Sequence, residues 1–245
     1  MGTPVVRGKR LRVIKTDRCG FPQAGPKNQV VTKGFSSIKF ANNWKDGEDL
    51  EQTNADGENC VSDRTAPELK YTQIDAVFCD VDIELFHLFT GNSLILDYAD
   101  KPVGFWQDKK VNVDFGVSVE LWSGTAGSDC EEPLDDSYLL PGNSARKYGY
   151  WVAPAIVEAT LGDIEIGASV ATFTLSGRAL FAPAWGKGPY LVVPGDDDNT
   201  PSRLLEPIGK DRPWGMLTTT IAPPAVSNGA EAVVLPTPYF AAVTP

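Results

Sequence analysis

Val111, Val113, Phe115, Val117, Val119 and Leu121 take every second position of "VNVDFGVSVELW", with mostly polar or small residues between them. A period of two over twelve residues predicts a strand with one buried face. "RLRVIKT" alternates as well, with Leu11 and Val13 on one side and Arg12 and Ile14 on the other. "NQVVTKGFSSIKF" is rich in β-branched and aromatic residues and breaks at Gly34. "LKYTQIDAVFC" puts Ile74, Ala76 and Phe78 on one face, and "DIEIGASVATFTLSG" and "GPYLVV" are later strand candidates. "SLILDYADKPVGFWQ" predicts a hairpin turning at Ala-Asp-Lys-Pro.

One segment breaks this rhythm. "DVDIELFHLFTG" places Ile83, Phe86 and Phe89 on one helical face, widened by Leu85 and Leu88. Asp80 and Asp82 offer carboxylates to the first backbone N–H groups, and Gly91 suits the stop position. The pattern therefore predicts a mainly β domain with one short helix near 81–90. Nine of the 19 prolines fall in residues 194–245, which read as an extended C-terminal arm with one strand near 216–221.

Composition narrows the chemistry. The 245 residues, 42% hydrophobic, can bury a core. The start, "MGTPVVRGKRLRVIK", has no apolar run behind its charges, so no export signal is expected. No stretch is long and apolar enough to predict a membrane span. Cys19, Cys60, Cys79 and Cys130 form no C-x-x-C pair, and free, partly buried thiols are expected. The single histidine, His87, lies within the apolar helix pattern, and no G-x-S-x-G elbow accompanies it. One histidine cannot build a two-histidine metal site, and no phosphate-binding glycine loop is present. "GDDDN" and "DGEDLEQTNADGE" carry hard oxygen ligands, but neither has the spacing of an EF-hand loop. No catalytic residue, metal or cofactor is expected. A hydrolase using paired carboxylates would need two of them facing a cleft. Trp122, Tyr148, Tyr150 and Trp151 leave open a carbohydrate-binding β-sandwich.

Charge is segregated along the chain. Residues 1–45 carry ten Lys/Arg and one acid, residues 46–70 are net −6, and the whole chain is −10. Such segregation predicts contact between unlike regions, within a subunit or between copies. The acidic loop at about 46–66, with Asp46, Glu48, Asp49, Glu51, Asp56 and Glu58, is the candidate inter-subunit surface. Its candidate basic partner is Arg7, Lys9, Arg10 and Arg12, within residues 7–18 or 27–45 of a neighbouring copy. Asn54-Ala55-Asp56-Gly57 reads as a turn at the loop's tip.

The run "GEDLEQTNADGENCVSDRTAPELKYTQIDAVFCDVDIELFHLFTG" resembles the central segment of major tail proteins of long, non-contractile-tailed actinobacterial phages. The likeness lies in Gly47-Glu48-Asp49, Thr53-Asn54-Ala55-Asp56-Gly57, Cys60-Val61, Pro67-Glu68, Cys79 and Val81-Asp82. The flanks "TDRCGFPQAGPKNQVVTKGFSSIKF", "FGVSVELWSGT" and "MLTTTIAPP" extend it over roughly residues 10–225. Ile83 stands where the family pattern has proline, which a first helical turn favours without requiring. The resemblance implies a tail-tube-like β domain over residues 1–193, with two packed antiparallel sheets and a flanking helix. It also implies hexameric rings stacked head to tail into a tube around a lumen that conducts DNA without sequence-specific binding. Implied partners are tape-measure, tail-terminator and tail-tip proteins. The implied location is the virion tail, after synthesis in the host cytoplasm, with no membrane contact.

Overall fold

The computed structural model describes residues 5–125, 148–164, 171–181, 183–195, 200–236 and 239. Strands dominate: β1 (Val5–Asp17), β2 (Gly25–Thr32), β3 (Phe35–Lys45), β4 (Asp49–Thr53), β5 (Asn59–Arg64) and β6 (Glu68–Phe78) precede helix α1 (Ile83–Thr90). After it come β7 (Leu94–Leu96), β8 (Pro102–Phe105), β9 (Phe115–Thr125), β10 (Tyr148–Leu161) and β11 (Phe173–Ala179). Short strands β12 (Val193–Pro194), β13 (Pro201–Ser202), β14 (Gly215–Thr219) and β15 (Glu231–Val233) follow. The chain is thus mainly β, with a large antiparallel sheet and one α-helix among the described residues.

The sheet runs in the order β15-β2-β1-β9-β10-β11-β6-β3, and β14 pairs with the first half of β10. It curls so far that β3, at one end, approaches the first half of β1. A Cβ on Gly8 of β1 would lie 2.5 Å from the ring of Phe35 on β3, so a larger residue there would have to push that ring aside. Inside the curl, Leu11, Val13, Ile74, Phe78, Val119 and Leu175 join the buried face of α1.

The helix is built as its ends predict, apart from Asp80, which lies before the cap. Asp82 Oδ1 accepts the Leu85 N–H at 3.0 Å, and Gly91 closes the last turn at φ 75° with its N–H on the His87 carbonyl. Leu85, Phe86, Leu88 and Phe89 are buried. Phe86 sits among three rings, with centroids 6.1 Å from Phe78, 5.5 Å from Phe105 and 5.7 Å from Phe173.

Three expectations change. The strand expected from Val111 begins at Phe115. Asn112 Oδ1 accepts the Asp114 N–H and holds a turn, leaving Val111 and Val113 exposed. The central strands are buried on both faces, because a second cluster of Ile14, Trp122, Tyr150, Val152, Trp185 and Val192 covers the outside of the curl. Residues beyond 193 are also more than an arm. β12 crosses that boundary, β14 pairs with β10, and β15 pairs with β2. Residues 165–170, 196–199 and Cys130, which carry parts of the expected strand, the "GDDDN" run and a thiol, lie outside the described residues. No helix of the described residues is long and apolar enough to cross a membrane.

Candidate functional site

The acidic run folds as a hairpin of its own. β3 and β6 pair as far as Lys45 and Glu68, and β4 and β5 then continue as a separate two-stranded sheet. Thr65 clasps the junction: its Oγ1 accepts the Glu48 N–H at 2.7 Å, and its N–H donates to the Glu48 carbonyl at 3.0 Å. A Cβ on Gly47 would fall 1.8 Å from the Thr65 carbonyl oxygen, so the tight junction requires glycine. The tip is the predicted turn. Asn54 Oδ1 accepts the N–H groups of Asp56 and Glu58, and Gly57 takes φ 84°.

Asp46, Glu48, Asp49, Glu51, Asp56 and Glu58 are all exposed on this hairpin. Two are paired loosely: Asp49 with Arg64 at 3.4 Å and Glu48 with Lys45 at 3.8 Å. Asp46, Glu48 and Glu68 border a pocket of about 210 Å³ at the hairpin base. All three are open to solvent, whereas acid catalysis uses a desolvated carboxyl. Among the described residues no group of three or more His, Cys, Asp or Glu could hold a metal. Cys19, Cys60 and Cys79 are free thiols, exposed rather than partly buried as expected.

The basic set divides. Arg7 and Lys9 are exposed and Arg10 is half-buried, all on the first half of β1, where the register with β9 slips twice. Each slip is a bulge that re-aims side chains, and Arg7 takes φ 50° within one. Arg12 does not belong to an outer docking surface; it is 5% exposed. It lies opposite Glu120 in the β1–β9 register, and Glu120 is wholly buried. The guanidinium pairs with both Glu120 oxygens, and Tyr150 donates its hydroxyl to Oε2 at 2.8 Å. Tyr190, from the C-terminal covering segment, stacks with its ring centroid 3.3 Å from Arg12 Cζ and donates its hydroxyl to Gln29 at 2.6 Å. A charge on the outer face of the sheet is thus sealed beneath the later part of the chain. The alternation of "RLRVIKT" does not disclose the cover; the apolar residues Trp185, Tyr190 and Val192, which need a face to pack on, are the signal that could have.

Burial pushes the Tyr150 phenol well above the usual value, the Glu120 charge adds to this, and Arg12 opposes it. Tyr190 and Tyr239 are also raised, chiefly by burial. A raised phenol contributes stability in full below the unfolded value of about 10, and that stability is lost as pH rises beyond it. The urea midpoint is therefore expected to fall above about pH 10. Tyr150→Phe should make the fall shallower, and an unchanged slope would show that Tyr150 ionises freely in the folded chain.

The aromatic residues proposed for sugars do not form an open platform. Trp122 is 1% exposed and packs edge-on to Tyr150 at 4.9 Å. Trp151 is half-buried and clusters with Phe40 and Trp214, each ring in contact with the other two. No protein-family model matches the chain, and no curated protein matches it.

Proposed function

We propose that the chain is a structural subunit that assembles with copies of itself, and specifically a tail-tube protein whose stacked rings conduct DNA. The observation that carries this reading is the β4–β5 hairpin. It stands clear of the main sheet, exposes all its residues, and shows Leu50 and Val61 to solvent at 49% and 48%. A lone two-stranded hairpin is marginal in water, and Leu50 and Val61 on one of its faces suit packing against something else. In this reading the curled sheet supplies the two packed layers of the tail-tube fold. The net charge of −10 suits a lumen, because cation-rich walls would grip phosphates and stall the passing strand.

Electron microscopy of the purified protein tests this: six-fold rings or tubes are expected. A chain that stays monomeric at high concentration overturns the reading. Replacing Glu48, Asp49 and Glu51 together by lysine should abolish assembly while changing unfolding free energy by less than about 1 kcal/mol, since exposed charges contribute little to monomer stability. Normal assembly of the triple variant would remove the hairpin's charge as a determinant.

A further inference from the structure

The two ends of the main sheet are finished differently. The outer edge of β2 is covered: Val31 donates its N–H to Ser227 Oγ at 2.9 Å, Ser227 returns its N–H to the Val31 carbonyl, and β15 pairs alongside. At the other end, β3 has no strand on its outer side among the described residues, although it is 11 residues long. Such an edge is a template for another extended chain. Beside it runs a groove of about 300 Å³, between β3 and the bulged half of β1. Phe35, Ile38, Phe40, Leu121 and Trp151 give it apolar walls. Among the described residues that line it, Arg7 alone is charged and none is acidic, and Lys9 and Arg10 follow on the same strand.

We propose that this groove receives the β4–β5 hairpin of a second copy, with one of its strands lying along β3. The proposal rests on the self-assembly reading and assigns the receiving surface. Leu50, Gln52, Val61 and Asp63 share one face, because Leu50 and Gln52 lie two apart on β4 and pair across to Asp63 and Val61. That face meets the apolar walls, and the opposite face of β4, which carries Asp49 and Glu51, meets Arg7, Lys9 and Arg10. The hairpin does not reach its own groove. It prolongs the β3–β6 ladder, and about 40 Å of extended chain separates Ile38 from Leu50. Each copy therefore offers one hairpin and one groove, an unlike pair of surfaces that propagates head to tail.

Two experiments on the full chain decide it. Ser37→Cys puts a thiol on the groove wall, and Cys60 already lies on the hairpin. Mild oxidation of the assembled protein should join position 37 to Cys60 of another chain, as mapped by mass spectrometry, and Cys60→Ser should abolish the bond. Lys101→Cys, on the turn between β7 and β8, is the control and should not couple to Cys60. Assembly of the Ser37→Cys variant without a 37–60 bond overturns the groove and leaves self-assembly standing. A bond within one chain, or coupling of Cys60 to position 101 in preference to 37, also overturns it. A wild type that never assembles overturns both readings. Second, a variant with Arg7, Lys9 and Arg10 changed to glutamate should fail to assemble alone, as should the hairpin-reversed triple variant. An equimolar mixture of the two should assemble, since each hairpin then meets a groove of opposite charge. A mixture as inert as its components, each folded by circular dichroism, overturns the charge matching.

Discussion

Arg12→Ala is expected to destabilise the chain by about 3–5 kcal/mol, because it strands a buried carboxylate. Glu120 has no exposure, and its remaining side-chain partner among the described residues would be the Tyr150 hydroxyl. Taking one member from a buried ion pair costs far more than replacing the whole group by apolar side chains. A combined Arg12→Met, Glu120→Leu and Tyr150→Phe variant should therefore recover most of the loss. Urea unfolding of the two variants measures the contrast. A loss below about 1 kcal/mol for Arg12→Ala would show that water reaches Glu120, contrary to the packing of Tyr190 over the guanidinium.

Phe86→Ala should cost a similar amount, about 3–5 kcal/mol, for an unrelated reason. Phe86 is 1% exposed and touches rings from β6, β8 and β11, so its removal leaves a cavity where separate strands meet. The small β7–β8 sheet leans on the helix through Phe105, and amide exchange at Leu94–Leu96 should accelerate in the same variant. Phe86→Leu, which keeps most of the volume, should lose less. Equal losses for the two would mean that the ring contacts, rather than filled space, hold the helix in place.

Local signals in the sequence served well where neighbouring residues decide the outcome. Asp82 and Gly91 mark the helix ends because capping is a matter of a few adjacent groups. The turn at Asn54–Gly57 is legible because Asn54 bonds its own backbone. Val111 and Val113 misled because they continue the alternation, while the Asn112 side chain competes for the backbone and ends the strand. Arg12 misled for a longer-range reason. Its alternation with Leu11 and Val13 assigns it to the opposite face of β1, but whether that face meets water depends on residues 178 positions later, at Tyr190. The acidic hairpin was visible as a charge run. The bare edge of β3 was not, since an edge is defined by strands that pair elsewhere.

The same long separation has a consequence in time. Ser227 covers an edge formed by Val31, 196 residues earlier. At the ribosome's pace of about 5–20 residues per second, that edge stays open for roughly 10–40 s in every new copy. Nascent chains on one message thus hold an edge that finished chains lack, and any factor that keeps growing copies apart has its work concentrated in that interval.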